Sequence, residues 1–424
     1  MTPHPFTRLG NPTGWERTRM VLGLATGFVP LRLAVLAGWL GLGGSTVLCL
    51  HRLGFRKASV YFLRWCIRWL LRIAGHRSIP VVVTNNDDVF EPGNCPRIIV
   101  SNHISNTEIL HLLSLPFRDG SGNPVLPVFV MKESVLKVPF VGTIARDVMG
   151  CITVARRKRA NNDDDGSSSS SSSPAGTTAT GGGDSCTEQI LSRVRDGRGG
   201  PVVIFPEGTT TNGTCLLAFK TGAFAPMVPV RPLLYRFGPA AAGSRSDPAR
   251  SSPSSWSSSS AFLPTYESIW GPAYLWRLAS QPFHELSCEF LDPVEPPPPA
   301  ASAGSADPPS VFAEHVRSEM ARRGNLPMVP PVYDYRHKLR YHAGLMRAFR
   351  SHPRGPKYAM CFEPMLPVFP EPPGGGLPDG GGDKDNRPGP YDCVVGTKWV
   401  PVVPPPPPAA GESGDGDSRE KKDA

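Results

Sequence analysis

The sequence lacks paired cysteines and the metal-binding spacings that accompany them. Its nine cysteines are spread through 424 residues, and no two of them form a C-x-x-C pair. The D-x-D-x-D-G loop of an EF-hand is also absent. An even cysteine count indicates a disulfide framework, and closely spaced cysteine and histidine ligands indicate a zinc site. We therefore predict no metal and expect a reducing, cytosolic environment.

Signatures of soluble hydrolases and of nucleic-acid-binding proteins are missing as well. The sequence has no G-x-S-x-G elbow of a serine hydrolase, no zinc finger and no RNA-recognition signature. The formal net charge is nevertheless +9. A basic protein without a nucleic-acid motif is expected to meet an anionic membrane or an anionic substrate. We therefore predict no nucleic-acid partner.

Much of the chain has too little apolar content to fold. The sequence has 49 prolines and 44 glycines, and its serines occur in runs. Such segments cannot bury enough apolar surface to offset the entropy lost on ordering. We predict an N-terminal tail at 1–19, disordered insertions at 160–187 and 239–260, and a disordered tail at 351–424. The folded part is then one domain of roughly 200 to 250 residues.

Charge is absent from residues 33–50, which form a run of 18 positions. That length meets the minimum for a helix that crosses a membrane. A buried core helix is the alternative, but the four glycines in this run weaken a soluble helix more than a membrane helix. With the apolar residues before it, the run predicts a membrane anchor at 20–50. A single span and a hairpin kinked at Pro30 both remain open.

A basic segment rich in aromatic residues follows at 51–80. Arg64, Arg68 and Arg72 recur every four residues and therefore line one face of a helix. Another face carries Phe62, Trp65, Trp69 and Ile73. Such a helix is typical of an anionic membrane surface, and its charge predicts that this side faces the cytosol. The alternative is a solvated charged face over a protein core.

The pattern from residue 97 to residue 345 is that of an α/β domain. Five strand-like runs read RIIVSNH, PVFVMKESV, GCITVARR, GPVVIFPEG and APMVPVRPLLYRF. Helical patches such as TEILHLLSL and TEQILSRVRDG lie between them. We therefore predict a mostly parallel sheet with flanking helices, preceded by N-terminal membrane-anchoring helices.

The decapeptide SNHISNTEIL at 101–110 contains a candidate base, His103, and a candidate partner, Glu108. Residues five positions apart do not share a face of one helix, so the two can meet only if His103 lies in the turn before the helix. A carboxylate on one ring nitrogen would leave the other free to take a proton. In the alternative, His103 caps a turn and Glu108 complements the helix dipole.

A second polar stretch, FPEGTTTNG at 205–213, follows the predicted strand PVVIF. Glycines permit close backbone approach, and hydroxyl and N–H groups can line a pocket for an oxygen-rich ligand. Ligands bind at the carboxyl ends of strands in such sheets. The alternative is a threonine-rich loop without a ligand.

These stretches resemble the motif blocks of the glycerophospholipid acyltransferases. NHISNTE is similar to the first block, GCITVARR to the second, FPEGTTTNG to the third and MVPVRPLL to the fourth. FVMKESVLKVPFVG is similar to the segment between the first two blocks. The TTTNG and CEFLDPVEPP segments look most like the lysophosphatidylcholine and lysophosphatidylethanolamine acyltransferase branch.

The resemblance implies transfer of an acyl group from acyl-coenzyme A to a lysophospholipid hydroxyl, with acyl-CoA as co-substrate and no further cofactor. It implies that His103 takes the hydroxyl proton and that Glu108 orients His103. Glu108 stands where the family usually has Asp. The implied binding residues are Glu207, Gly208 and Thr209 for the glycerol part of the acceptor, and Lys132 and Arg156 for phosphate.

The expected location is the endoplasmic reticulum membrane, with the catalytic domain facing the cytosol. The final residues KKDA are similar to a retrieval signal of that compartment. The acceptor could instead be lysophosphatidic acid or glycerol 3-phosphate. A different class of function also remains open, namely a catalytically silent lipid-binding tether at the bilayer.

Overall fold

The computed structural model of the protein describes residues 5–6, 14–84, 88–154, 186–197, 199–237, 271–298, 307–351, 366–368 and 394–396. The segments predicted to be disordered, 160–187, 239–260 and 351–424, lie almost entirely outside the described residues. Two described fragments of the tail, β8 (Leu366–Val368) and β9 (Val394–Gly396), pair antiparallel. The sequence predicts no fold there.

A seven-stranded sheet forms the centre of the fold. Its strands are β1 (Val81–Val83), β2 (Ile98–Ser101), β3 (Val128–Lys132), β4 (Ile152–Val154), β5 (Val202–Ile204), β6 (Val230–Phe237) and β7 (Leu286–Phe290). Their order is β1-β7-β6-β2-β5-β3-β4, and every neighbouring pair is parallel except β6 and β7. The predicted mostly parallel sheet is therefore confirmed. It also includes β1, which precedes the predicted start at residue 97, and β7, which was not predicted.

Eight helices of at least eight residues surround the sheet in the described part of the chain. They are α1 (Gly14–Ala25), α2 (Phe28–Arg52), α3 (Arg56–Ile73), α4 (Thr107–Ser114), α5 (Cys186–Asp196), α6 (Gly271–Ser280), α7 (Pro308–Gly324) and α8 (Tyr335–Ser351). Short helical turns occupy Glu133–Lys137 and Val141–Val148 between β3 and β4. The predicted helical patches correspond to α4 and α5.

The core lies on both faces of the sheet, because successive strand residues point to opposite sides. One apolar cluster contains Ile99, Val203, Leu233, Leu63 of α3 and Leu112 of α4. The other contains Ile98, Val100, Val202, Ile190 of α5 and Phe312 of α7. Strands buried on both faces read as continuous apolar runs, which is why IIV and VVI lack polar alternation.

The break between the first two helices lies at Gly27, which has a φ of 74°. The sequence placed a possible kink at Pro30, but Pro30 falls in the first turn of α2, where a missing N–H costs no helical hydrogen bond. Among the described residues, α2 is the one helix long and apolar enough to cross a membrane. Residues 14–19 of the predicted N-terminal tail belong to α1.

Helices α1 and α2 are each tied to the rest of the protein near their N-terminal ends. Glu16 of α1 forms a buried ion pair with Arg277 of α6. Arg32, in the second turn of α2, donates to the carbonyls of Ile73, Ala279 and Gln281 at 2.6–2.8 Å. The first turns of α2 therefore rest on protein.

Two arginines of the α3 stripe, Arg64 and Arg68, face the protein. This corrects the prediction of a membrane-facing stripe. Arg64 is buried and donates to the carbonyls of Phe117 and Val125 at 2.8 and 2.7 Å. Arg68 donates to the carbonyl of Ser114, at the end of α4. Carbonyls that no helix or strand uses can satisfy a guanidinium, so Arg64 is buried without a carboxylate. Trp65 and Trp69 on the aromatic face remain 47% and 41% exposed.

Candidate active site

His103 lies in the turn between β2 and α4, and its Nδ1 is hydrogen-bonded to Glu108 Oε1. The chain leaves β2 at Ser101 and begins α4 at Thr107, so the ring folds back over the first helical turn. This is the arrangement that the i, i+5 spacing required. With Nδ1 bonded to the carboxylate, Nε2 is the ring nitrogen that remains to accept a proton.

Glu108 also holds the start of α4. Its Oε1 accepts from the N–H of Ile104 at 3.0 Å, and its Oε2 accepts from the N–H of Ser105 at 3.0 Å. Backbone N–H groups before a helix have no intrahelical acceptor, and a carboxylate satisfies them well. The two readings that the sequence left open therefore coexist, since Glu108 contacts His103 and supports the helix start.

The Glu108 carboxyl is fully buried, and its surroundings act on its pKa in opposite directions. Burial raises the pKa above its ordinary value, whereas the bond to His103 and the N–H groups of Ser105 and Ile104 lower it. Burial is the larger effect. The hydrogen bonds from His103, Ile104 and Ser105 offset part of the free-energy cost of burying a charged carboxylate at this position.

The backbone of His103 is held from both sides by the FPEGTTTNG loop. Its N–H donates to Glu207 Oε1 at 3.1 Å, and its carbonyl accepts from the N–H of Thr211 at 2.8 Å. The imidazole ring stacks on Phe205, with centroids 4.2 Å apart. The loop therefore fixes both the position and the ring plane of His103.

Glu207 lies behind the cavity wall, which corrects the expectation that it shapes a glycerol pocket directly. It is buried, and its second oxygen accepts from the N–H of Leu217 at 3.4 Å. Burial raises the pKa of this carboxyl to about 8. The protonated form of Glu207 is therefore favoured near neutral pH. Glu207 acts on the site through its hydrogen bond to the backbone N–H of His103.

Only the first part of the threonine loop reaches the cavity. Gly208, Thr209 and Thr210 line it, as expected for the first two. Gly208 has a φ of 67°, and a Cβ there would lie 2.5 Å from Lys220 Nζ. The side chains of Thr211 and Asn212 instead accept hydrogen bonds within the loop.

A cavity of about 910 Å³ opens beside His103, and part of its wall is apolar. That part comes from α2, α3, α4 and the turns before β4. It includes Trp39, Leu40, Gly43, Gly44, Leu63, Cys66, Ile67, Leu110, Leu113, Val141 and Ile144. An aliphatic chain fits such a wall, because apolar ligand groups are bound by apolar side chains.

The other part of the wall carries positive charge. We call Lys132, Lys220 and Lys338 the lysine cluster; all three line the cavity together with Tyr335 of α8. Lys132 Nζ lies 4.4 Å from the Tyr335 ring centroid, and Lys338 Nζ donates to Thr210. Lys132 was predicted from the sequence, whereas Lys220 and Lys338 were missed. Arg156 lies outside the described residues.

Two of the wall residues on α8 share a spacing with Lys338 that the sequence shows. Tyr335, Lys338 and His342 are spaced at i, i+3 and i+7, so they share one helical face. Lys220 follows the threonine loop in the segment AFKTG, but nothing in its spacing marks it as a wall residue.

Comparison with known proteins gives consistent matches. Residues 80–236 match the family model described as Acyltransferase. Lysophospholipid acyltransferase LPEAT1 of Arabidopsis thaliana is 31% identical over 235 residues, which cover 54% of this chain and 45% of that protein. Lysophosphatidylcholine acyltransferase 2 of Rattus norvegicus is 26% identical over 346 residues, which cover 78% of this chain and 52% of that protein. The chain thus spans about half the length of these relatives.

The chain is also similar to a solved structure. That structure is the 1-acyl-sn-glycerophosphate acyltransferase PlsC of Thermotoga maritima, with 16% identity and a TM-score of 0.42. The similarity covers 72% of this chain and 95% of that chain.

Proposed function

We propose that the chain is a membrane-bound acyl-CoA:lysophospholipid acyltransferase, because residues 80–236 match the family model described as Acyltransferase. Its similarity to the lysophosphatidylcholine and lysophospholipid acyltransferases supports the branch indicated by the motif blocks. The observation that carries the proposal is the His103–Glu108 pair at the wall of a cavity that is partly apolar and partly cationic.

In the proposed reaction His103 is the general base. Nε2 takes the proton from the free glycerol hydroxyl as its oxygen attacks the thioester carbonyl carbon. The C–S bond then breaks, and the leaving thiolate receives that proton from the imidazolium. Glu108 stabilises the imidazolium and keeps the ring oriented throughout.

The two parts of the cavity suit the two ends of the substrates. The apolar wall between α2 and α3 accommodates fatty acyl carbon, and the lysine cluster attracts phosphate. Acyl-CoA and a lysophospholipid each carry both groups. A lysophosphatidic acid or glycerol 3-phosphate acceptor would also present phosphate to the lysine cluster, so the acceptor has to be measured.

Association with a bilayer is part of the proposal. The support is the length and apolar composition of α2, together with exposed apolar side chains such as Leu31 and Leu42 on it. The acceptor and the product both reside in bilayers. We propose the cytosolic face of the endoplasmic reticulum as the location, on the basis of the basic flank of α2.

The test is acyl transfer by membranes that contain the expressed protein. Labelled oleoyl-CoA is supplied with a panel of lysolipids that differ in head group, and with glycerol 3-phosphate. Transfer is expected in the parent and should be lost in His103→Ala, by a factor of about 10² or more. The matched control is His315→Ala, because His315 is exposed on α7.

The panel also separates the alternatives. Preference for lysophosphatidic acid or glycerol 3-phosphate would change the acceptor while leaving the catalytic role of His103 intact. Binding of lysolipid without transfer by the parent, combined with transfer by Glu108→Asp, would favour the silent tether. Transfer that persists unchanged in His103→Ala would refute the proposed mechanism.

A further inference from the structure

Helix α8 follows the segment that matches the acyltransferase family, yet it forms part of the cavity wall. The matched segment ends at residue 236, and α8 spans Tyr335–Ser351. Tyr335, Lys338 and His342 all line the cavity. The polar part of the site is therefore built by two regions of the chain, of which only one lies in the matched segment.

The N-terminal end of α8 is fixed in place. Asp334 Oδ1 accepts from the N–H of His337 at 2.8 Å, which caps the first turn. Phe6 is fully buried, and its ring lies 6.1 Å from that of His337. The carbonyl of the preceding Pro5 accepts from the N–H of Asn212 at 2.9 Å. Two residues near the start of the chain thus connect α8 to the threonine loop.

Lys338 is directed at that loop. Its side chain is 7% exposed, and Nζ donates to the carbonyl and the hydroxyl of Thr210 at 2.8 and 2.6 Å. Nζ also lies 5.7 Å from the centroid of the Phe6 ring. These contacts place a positive charge at Thr210, which is itself a wall residue.

The other two ammonium groups approach the same stretch of wall. Lys220 reaches Gly208, two residues before Thr210, and Lys132 contacts Tyr335 on the face of α8 that carries Lys338. Among the described residues that line the cavity, none is Asp or Glu. Three like charges beside a partly apolar wall favour an anion strongly, because the low dielectric increases the attraction.

We infer that Lys338 binds a phosphate group of one of the two substrates, and that α8 therefore completes the active site. This inference rests on the proposed acyl transfer. The phosphate is either the phosphodiester of the lysophospholipid or a phosphate of coenzyme A. Phe6 is a positioning residue in this arrangement, because it packs on α8 beside Lys338 and does not line the cavity.

The test compares Lys338→Met and Lys338→Arg with the parent in steady-state kinetics. Lys338→Met should raise the KM for one substrate about 10-fold with a smaller effect on kcat, since a charge-assisted contact to phosphate is lost. Lys338→Arg should recover most of the affinity. The matched control is Arg340→Met, which removes the same charge from an exposed position on the same helix.

Substrates without phosphate distinguish phosphate binding by Lys338 from a purely structural role of its side chain. The donor arm replaces oleoyl-CoA with the oleoyl thioester of N-acetylcysteamine, and the acceptor arm replaces the lysophospholipid with 1-oleoylglycerol. If Lys338 binds the acceptor phosphate, Lys338→Met should leave kcat/KM for 1-oleoylglycerol unchanged. If it binds coenzyme A, the N-acetylcysteamine thioester should be the unaffected substrate.

An equal loss with phosphate-bearing and phosphate-free substrates would overturn the inference, because Lys338 would then act only by holding Thr210. Unchanged KM values for both natural substrates would overturn it as well. Failure of the proposed function looks different, since the parent itself would then transfer no acyl group. Phe6→Ala should raise the same KM as Lys338→Met, by a smaller factor.

Discussion

At the scale of single residues, Glu207 has a role that its motif did not indicate. The sequence placed it in a substrate pocket, whereas the structure buries its carboxyl against the N–H groups of His103 and Leu217. Burial raises its pKa from an ordinary 4.5 to about 8. The folded protein therefore retains a proton on Glu207 over a pH range in which the unfolded chain releases it.

This raised pKa predicts a pH-dependent stability difference between the parent and Glu207→Gln. Below about pH 4.5 the Glu207 carboxyl is protonated in both the folded and the unfolded state. Between about pH 4.5 and about pH 8 the carboxyl stays protonated in the folded state but is ionised in the unfolded chain. The free energy of unfolding of the parent should therefore fall, relative to the variant, by on the order of 1–3 kcal/mol from about pH 5 to about pH 8. Thermal unfolding in detergent at several pH values measures it.

The control for this prediction is Glu295→Gln, because Glu295 is exposed. That variant should follow the parent at every pH. A constant difference between the parent and Glu207→Gln across the range would mean that the Glu207 carboxyl does not titrate in the folded protein near neutral pH.

Glu108 shows how one extra methylene is used at the position where the motif block that it resembles usually has Asp. The carboxylate reaches His103 Nδ1 and two backbone N–H groups at the start of α4. The longer side chain thus brings the acid to the histidine without any change in the order of the motif. This geometry argues against the silent tether, for which Glu108 in place of Asp was the hint.

At the scale of elements, helix α2 packs closely against α3 and against Phe140 beside the apolar part of the cavity. A Cβ on Gly43 would lie 3.0 Å from Cys66 Sγ, and a Cβ on Gly44 would lie 3.1 Å from Phe140 Cβ. Trp39 Nε1 donates to the carbonyl of Cys66 at 2.9 Å and ties the two helices together. The glycines that suggested a membrane helix also provide room beside the cavity.

We expect Gly44→Leu to shift acyl selectivity toward shorter chains. The added side chain would occupy space in the apolar wall, so kcat/KM for oleoyl-CoA should fall about 10-fold more than kcat/KM for octanoyl-CoA. Competition between the two donors in one assay measures the ratio. Gly41→Leu is the matched control, since a Cβ at Gly41 meets nothing within 4 Å. An unchanged ratio in Gly44→Leu would place the acyl chain elsewhere.

At the scale of the whole molecule, exposed apolar residues concentrate on the N-terminal helices. Large examples on these helices are Trp15, Leu22, Phe28, Leu31, Leu42, Tyr61, Trp65 and Trp69. Exposed apolar surface on this scale marks an interaction site in soluble proteins and a lipid-facing surface in membrane proteins. Meanwhile Arg32 and Arg64 bond to protein carbonyls, so the helices are docked on the domain that carries His103.

Membrane binding should therefore weaken when charge is placed on this surface. Leu42 is 70% exposed on α2. Leu42→Glu should lower the fraction of protein that floats with lipid vesicles, because a carboxylate costs about 2.5–3.5 kcal/mol at the centre of a bilayer. Val332→Glu is the control, since Val332 is 43% exposed and lies outside these helices. Equal flotation of both variants would show that α2 does not contact lipid.

Much of the fold follows from local pattern. The runs IIVS, VFVMK, VVI and VRPLLYRF form β2, β3, β5 and β6, because apolar β-branched runs between turn residues encode buried strands wherever they lie. Strands β1 and β7 were not anticipated. β1 is only three residues long, and β7 becomes a strand by pairing with β6 and β1, which are far from it in sequence.

The sequence by itself determined the motif residues, their order and the requirement that His103 precede its helix. Only the tertiary structure decided which side chains meet. Lys338 lies 128 residues from the Thr210 that it contacts, Arg64 faces carbonyls that no periodicity could indicate, and Glu207 is buried behind the histidine that it supports. The physical reason is that the spacing of apolar residues indicates only the helix or strand to which a residue belongs and the face on which it lies. The partners of a charged side chain depend instead on how distant segments pack, and that packing is a property of the whole fold.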